Sequence, residues 1–255
     1  IYDPVLTFQL SNDFHVRKVM TNYLPNDEES KHYACLLQWD NIYYQPPTQE
    51  YLAPKTTVRV GLVQWQMRSY KTLDDLFEQV EFFADAVSDY KSDFVLFPEY
   101  FNAPLMSKYN DKGESQAIRG LAQYTEEIRD RFINLAISYN INIITGSMPL
   151  IKEDGLLYNA GFLCRRDGTY EMYEKLHVTP DEIKSWGLSG GKQLKTFETD
   201  CAKIGILICY DVEFPELSRL MADQGMQILF VPFLTDTQNA YSRVRVCAQA
   251  RAIEN

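Results

Sequence analysis

Apolar residues from position 58 onward alternate between two kinds of pattern. Residues 58–65 form an apolar-rich run of strand length, and the apolar residues that follow recur every three or four positions, as on one face of a helix. That face comprises Leu73, Leu76, Phe77, Val80, Phe83, Ala84 and Val87. Thr72 and Asp75 have the spacing of a capping box, so we expect the helix to begin just after Thr72.

The same alternation continues through the rest of the chain. Further strands are predicted at 93–97, 142–147, 156–164, 169–174, 203–208 and 227–232. Helices are predicted through Ile128 and Phe132, from Phe214-Pro215 onward, and from Ala240 onward. Arg166-Asp167-Gly168 is a hairpin signal between two of the strands, so pairing should be mixed. The pattern indicates an α/β fold in which helices cover buried strands.

The first 57 residues follow a different pattern. Residues 5–9 and 32–39 are predicted strands around a loop that carries Asn22-Tyr23-Leu24-Pro25, which makes a short β-rich segment too small to close a core. Prolines cluster between Gln45 and Pro54, where apolar periodicity pauses. We therefore predict the remnant of a preceding domain at 1–45, a linker at 46–57, and the main domain at 58–255.

Composition narrows the classes of function. The 255 residues are 45% hydrophobic, and their formal net charge of -10 disfavours nucleic acid or an anionic membrane as partner. A small neutral or cationic substrate fits better. Five cysteines at irregular spacings, with no secretory signal, indicate reduced thiols and a cytoplasmic location. The three histidines never share a ligand spacing with a cysteine pair, so no metal is expected.

Three short segments carry candidate chemistry. They are Phe97-Pro98-Glu99-Tyr100, Glu174-Lys175-Leu176-His177, and Ile208-Cys209-Tyr210-Asp211 leading into Phe214-Pro215-Glu216. They supply a carboxylate, an ammonium and a thiol, and two of them follow predicted buried strands. Because α/β proteins place chemistry at the carboxyl ends of strands, we expect Glu99, Lys175 and Cys209 to converge on one pocket.

With these segments, the chain from about residue 58 to 255 resembles the carbon-nitrogen hydrolase, or nitrilase, superfamily. The resemblance implies a four-layer α-β-β-α sandwich, with a Glu, Lys and Cys acting together in this order. It also implies a second glutamate near the lysine. Glu182 is the nearest match for that residue, with Asp181 and Glu174 as rivals.

The three residue types suit attack on an amide. Cys209 would be the nucleophile, Glu99 the general base with a pKa raised by burial, and Lys175 the ammonium that stabilises the oxyanion. Glu182 would orient Lys175 or the substrate nitrogen. We therefore predict a hydrolase that cleaves a small linear amide through a thioester and needs no cofactor. The alternatives are an acyltransferase that uses the same acyl-enzyme, and a non-catalytic binding module.

Three other positions lie close in sequence to the candidate segments or bear on substrate choice. Glu213 occupies a place where many amidases of the family have an arginine, which argues against carboxylate-bearing substrates. His177 is expected to make a structural hydrogen bond, and Asn159 to fix a turn.

The two ends of the chain carry weaker signals. The amino-terminal segment resembles the carboxyl end of a GNAT-type acetyltransferase but lacks the loop that holds the coenzyme A pyrophosphate, so acetyl transfer is not expected of it. Residues 250–255 resemble a segment that more strands follow in the family, so we expect the carboxyl-terminal part of the domain to be missing. A homodimer through the helical layer is expected, with apolar residues of the last helix exposed.

Overall fold

The computed structural model describes residues 4–12, 14–21, 28, 30–39 and 57–255. The chain divides into two compact units, Ile1–Ala53 and Pro54–Asn255. The predicted linker at 46–57 and the loop at 22–25 lie outside the described residues, apart from residue 57. No helix in the described parts of the chain combines the length and apolar composition of a membrane span.

The described residues of the first unit form one helix and one strand pair. Helix α1 is Pro4–Ser11, and strands β1 (Phe14–Met20) and β2 (Ala34–Trp39) pair antiparallel. The predicted strand at 5–9 is therefore wrong. A short apolar run does not distinguish a strand from a helix, and Pro4 suits the first helical position because the missing N–H has no partner there anyway.

The larger sheet of the second unit has six strands. They are β3 (Val60–Leu62), β4 (Phe94–Leu96), β5 (Asn142–Ile144), β6 (Met148–Ile151), β7 (Leu157–Cys164) and β8 (Tyr170–Glu174). Strands β3, β4 and β5 are parallel neighbours, whereas β7 pairs antiparallel with β5, β6 and β8. The predicted mixed pairing is confirmed.

Three helices pack on one face of this sheet. They are α2 (Leu73–Asp89), α3 (Glu114–Leu121) and α4 (Thr125–Ser138). Thr72 caps α2, accepting from the Asp75 N–H while the Asp75 carboxylate accepts from the Thr72 N–H, as the sequence predicts. Phe132 of α4 is fully buried, with its ring centroid 5.2 Å from that of Phe97 and 5.5 Å from that of Phe77. The apolar helix faces and this sheet face form the first core.

A second sheet has three strands, β9 (Thr196–Glu198), β10 (Lys203–Ile206) and β11 (Ile228–Phe230). Strand β10 is antiparallel to β9 and parallel to β11. Side chains of both sheets build the second core, in which the rings of Phe94 and Phe230 lie 5.2 Å apart. Phe94 and Val95 belong to different cores because successive side chains of a strand point to opposite faces.

The remaining helices are α5 (Pro215–Asp223) and α6 (Gln238–Glu254). Met221 of α5 packs against Gly205 of β10, where a Cβ would lie 2.7 Å from its sulfur. Helix α6 packs against the 3-10 turn Cys209–Glu213 and contributes Val244 to the second core.

Glycine is required where the strand ends approach each other. Gly146 has φ +71°, and a Cβ on it would lie 2.0 Å from the carbonyl oxygen of Pro98. No side chain fits into that distance. The backbone beside Glu99 thus depends on this glycine.

Candidate active site

Glu99, Lys175 and Cys209 line one cleft of about 860 Å³. Glu99 lies three residues after β4, Lys175 follows β8 directly, and Cys209 lies three residues after β10. The structure thus brings together the three side chains that the sequence singles out. Glu182, the fourth candidate, lines the same cleft.

The backbone at two of these strand ends is held in an uncommon conformation. Tyr100, next to Glu99, has φ +52°, and Cys209 has φ +47°. Left-handed φ values are costly for residues with a Cβ and persist only where the surroundings enforce them. At Cys209 the N–H donates to the carbonyl of Pro232 at 2.9 Å, which fixes the turn that presents the thiol.

The Lys175 ammonium lies between two carboxylates. Its Nζ is 2.9 Å from Glu99 Oε1 and 2.9 Å from each Glu182 oxygen, and the side chain is only 2% exposed. Burial on its own lowers the pKa of Lys175, but the charges of Glu99 and then Glu182 outweigh it and raise that pKa. Lys175 is therefore held as a buried positive charge between the two carboxylates.

Glu182 begins a π-helical turn, Glu182–Trp186, and is held from several sides. Its Oε2 accepts from the Thr179 N–H at 2.8 Å and the Thr179 hydroxyl at 3.0 Å, and its Oε1 accepts from the Tyr100 hydroxyl at 3.2 Å. Of its rivals, Asp181 is exposed and Glu174 pairs with Lys152. Glu182 is thus the second carboxylate on the lysine.

The two oxygens of Glu99 have different surroundings. Oε1 accepts from Lys175 and from the Asn159 amide, each at 2.9 Å, whereas Oε2 accepts from the Leu234 N–H at 3.0 Å. Burial raises the pKa of Glu99, Lys175 opposes that shift, and Glu182 adds to it. With Oε1 occupied by two donors, Oε2 is the oxygen better able to accept a proton.

The Cys209 side chain lies in the cleft wall and is buried. Burial raises the pKa of its thiol, the nearby Glu99 charge raises it further, and Lys175 works in the opposite direction. The thiol Sγ lies 3.9 Å from the Leu234 carbonyl, the residue whose N–H binds Glu99 Oε2. Burial thus favours the neutral thiol over the thiolate, and the Glu99 carboxylate lines the same cleft.

Asp211 connects the lysine segment to the cysteine segment. Its Oδ1 accepts from the His177 N–H at 2.6 Å and lies 3.1 Å from His177 Nδ1. Its Oδ2 accepts from the Leu176 N–H at 3.1 Å and the Ile208 N–H at 3.3 Å. His177 also stacks on Phe214 at 3.7 Å between ring centroids, so the expected structural role of His177 agrees with its contacts.

Charged side chains also form the outer wall of the cleft. Glu213 and Arg243 are paired there at 2.7 Å, and the exposed residues Glu114, Asp181 and Asp236 line the same cleft. Among the residues that the structure describes, no group of three or more His, Cys, Asp or Glu side chains could hold a metal ion.

Comparison with known proteins identifies the protein family of this chain. The family described as carbon-nitrogen hydrolase matches residues 59–255, which is most of the chain. The chain belongs to the carbon-nitrogen hydrolase family. This membership confirms the family resemblance of the three segments.

Two relatives illustrate the range of this carbon-nitrogen hydrolase family. A probable hydrolase, YhcX of Bacillus subtilis, is 47% identical over 256 residues, covering 100% of this chain and 50% of that protein. The omega-amidase NIT2 of Homo sapiens is 30% identical over 213 residues, covering 78% of this chain and 72% of the relative. The chain thus spans about half the length of the Bacillus relative.

Solved structures agree on the mixed α/β fold. Nit3 of Saccharomyces cerevisiae, a member of branch 10 of the nitrilase superfamily, superposes with a TM-score of 0.65 at 24% identity, covering 76% of this chain and 71% of that one. A carbon-nitrogen hydrolase from Helicobacter pylori G27 gives 0.67 at 21% identity, with coverages of 78% and 70%.

The sequence did not identify every residue of this carbon-nitrogen hydrolase site. Asn159 was expected to fix a turn, and this is wrong, because it lies within β7, is fully buried, and donates to Glu99 and Glu182. The available signal was a polar residue in the middle of a buried apolar strand. Tyr100 and the Leu234 N–H were also missed, and a backbone donor leaves no trace in a sequence.

Proposed function

We propose that this chain carries an amidase that hydrolyses a small linear amide through a thioester on Cys209. The observation that supports this most is the buried contact of Lys175 with Glu99 and Glu182 beside the Cys209 thiol. A buried ammonium held by two carboxylates next to a thiol supplies a base, a nucleophile and a positive charge in one place.

Acylation begins with transfer of the thiol proton to Glu99 Oε2. Cys209 sulfur forms a bond to the amide carbon, and the Lys175 ammonium stabilises the negative charge that develops on oxygen. The carbon–nitrogen bond then breaks, the nitrogen takes the proton from Glu99, and ammonia or an amine leaves. Glu182 keeps Lys175 in place during these steps.

Deacylation uses the same groups. Glu99 takes a proton from water, the resulting hydroxide adds to the thioester carbon, and the carbon–sulfur bond breaks as the proton returns to sulfur. The acid leaves, and the thiol and the carboxylate are restored. Atoms and protons balance with substrate and water alone.

Acyl transfer would differ only in the second nucleophile, with an amine in place of water. The hydrolase and omega-amidase names of the relatives support hydrolysis. Product analysis with and without an added amine distinguishes the two. Free acid as the main product under both conditions would favour hydrolysis, whereas an amide product that forms only with the amine, with no acid formed in its absence, would favour transfer.

An ammonia-release screen over short amides and nitriles tests the proposal. We expect Cys209→Ala to abolish turnover, because no other group can form the thioester, while Cys35→Ala, at an exposed cysteine, keeps full turnover. Retained activity in Cys209→Ala would refute the mechanism. Iodoacetamide labelling of Cys209 that a substrate fails to block would favour the non-catalytic alternative.

Several wider features belong to the same proposal. We propose that α5 and α6 complete a four-layer α-β-β-α sandwich, and that residues 1–45 derive from a preceding GNAT-like domain joined through 46–57. A cytoplasmic homodimer is the proposed form of the protein. The packing of α5 on Gly205 supports the fourth layer.

A further inference from the structure

One residue of β7 contacts every member of the buried charge cluster that Glu99, Lys175 and Glu182 form. The Asn159 amide nitrogen Nδ2 lies 2.9 Å from Glu99 Oε1 and 3.4 Å from Glu182 Oε1. The backbone carbonyl of Asn159 accepts from the Lys175 N–H at 2.9 Å. The proposed reaction steps give Asn159 no role, although it is hydrogen-bonded to all of these residues.

Asn159 lies outside the part of the site that a substrate can reach. It is fully buried, and it is not among the described residues that line the cleft. Its backbone is held on both sides, because it lies opposite Pro149 of β6 in the sheet and its carbonyl binds the Lys175 N–H. Any effect of Asn159 on the reaction must therefore act through the charge cluster.

The two ends of the Asn159 side-chain amide have different surroundings. Ionised carboxylates only accept hydrogen bonds, so the NH₂ end is the one that faces Glu99 and Glu182. The Oδ1 end is buried and accepts no hydrogen bond from any residue that the structure describes. A buried amide that only stabilised the strand would have both ends paired. The site therefore uses the donors of this side chain.

The Asn159 donors compensate an excess of negative charge in the cluster. Two carboxylates bind a single ammonium there, and all three groups are buried. A hydrogen bond donated to an ionised carboxylate stabilises the ionised form. Asn159 and Lys175 both donate to Glu99 Oε1, whereas Oε2 accepts from the Leu234 N–H. The donors thus favour both the ionised state of Glu99 and one orientation of its two oxygens.

We infer that Asn159 is a positioning residue for the base, whose amide holds Glu99 Oε1 beside Lys175 and leaves Oε2 as the oxygen that takes the thiol proton. The inference rests on the proposed amidase function and adds to it a residue outside the cleft lining. The same amide nitrogen also contacts Glu182, so one side chain fixes the places of both carboxylates on Lys175. A rigid strand suits such a role better than a loop does.

Asn159→Leu tests the inference, because leucine is close to asparagine in shape and has no side-chain donor. Glu99 must be ionised to accept the thiol proton, and loss of the donor makes ionisation harder. The acid limb of Cys209 alkylation by iodoacetamide should therefore move to higher pH by about 1–2 units. For an amide that the wild type hydrolyses, kcat should fall by about 10- to 100-fold with KM nearly unchanged, since the cleft lining is intact.

Asn142→Leu is the matched control. Asn142 is also a buried asparagine of the same sheet, but it lies in β5, donates to Asp200 at 2.9 Å and is outside the cleft lining. Its replacement should lower stability and keep the wild-type acid limb. Asn159→Ser covers the case in which leucine prevents folding, because serine adds no volume and its shorter side chain cannot reach both carboxylates. The same shift in pH is expected of it.

The alkylation profile separates this inference from the amidase proposal. An unchanged acid limb in folded Asn159→Leu or Asn159→Ser, or an equal shift in Asn142→Leu, would overturn the role of Asn159 and leave the amidase proposal intact. A wild-type acid limb that persists in Glu99→Gln would count against Glu99 as the base, and therefore against both. A shift confined to the Asn159 variants, together with loss of the limb in Glu99→Gln, is the expected result.

Discussion

At the scale of single residues, the two carboxylate oxygens of Glu99 have different hydrogen-bond donors. One oxygen accepts from Lys175 and Asn159, and the other accepts from the Leu234 N–H. Sequence reasoning could place a carboxylate after a buried strand, because the motif and the strand end are both visible in the residues. It could not predict which donors bind each oxygen, because those donors include a side chain 60 residues away and a backbone N–H 135 residues away.

The pH dependence of alkylation tests the role of Glu99. Glu99 must be ionised to accept the thiol proton, and its pKa is raised, so reactivity should fall with decreasing pH at a midpoint above the ordinary glutamate value of about 4.3. Glu99→Gln should slow alkylation of Cys209 at neutral pH and remove this acid limb.

The control is Glu216→Gln, at an exposed glutamate on α5 outside the cleft lining. It should reproduce the wild-type profile. If Glu99→Gln and wild type are alkylated at equal rates from acidic to neutral pH, Glu99 is not the base. Iodoacetamide rates followed by mass spectrometry at Cys209 provide the measurement.

At the scale of elements, strands were predicted better than the connections that hold the site. Strands β4, β5, β7, β8, β10 and β11 lie within the predicted runs, because continuous apolar runs bounded by polar turns are visible locally. The strand predicted at 5–9 is helix α1, since a short apolar run suits both structures. The hydrogen bonds of Asp211 could not be predicted from the sequence, because their donors at Leu176 and His177 are backbone N–H groups of a distant segment.

Asp211→Asn tests whether this connection positions the site. Each Asp211 carboxylate oxygen accepts hydrogen bonds in the wild type, and in either orientation the asparagine would place its NH₂, a donor, where one of these oxygens accepts. We therefore expect a loss of about 1–3 kcal/mol in the free energy of unfolding. Displacement of the lysine segment should also lower kcat by about 10- to 100-fold in protein that is still folded.

Asp223→Asn, at an exposed aspartate at the end of α5, is the corresponding control and should change neither quantity. Denaturant titration and single-turnover kinetics measure the two effects separately. A full wild-type kcat in folded Asp211→Asn would show that Asp211 contributes only to stability.

At the scale of the molecule, α6 presents apolar residues to solvent. Val246 is 60% exposed and Ile253 is 87% exposed, whereas Val244 is buried in the second core. Large apolar side chains left exposed on one helix favour association with another surface. This exposure supports the proposed homodimer, which the sequence analysis predicts from the family resemblance.

Light scattering tests the dimer at micromolar concentration. We expect the protein to be dimeric and the double variant Val246→Glu, Ile253→Glu to be monomeric, because two charges in an apolar interface are costly to desolvate. Phe82→Glu, at a residue 62% exposed on α2, should remain dimeric. A wild-type monomer would contradict the proposal.

Gly146 has a consequence for how related sequences should be interpreted. Its missing side chain is what lets the Pro98 carbonyl pass at 2.0 Å from the place a Cβ would take. A homologous chain that keeps Glu99, Lys175 and Cys209 but has lost this glycine has a displaced carboxylate, whatever its three motifs suggest. A genome survey that scores only those motifs would count such a chain as a working enzyme, so the glycine belongs in the signature as its fourth position.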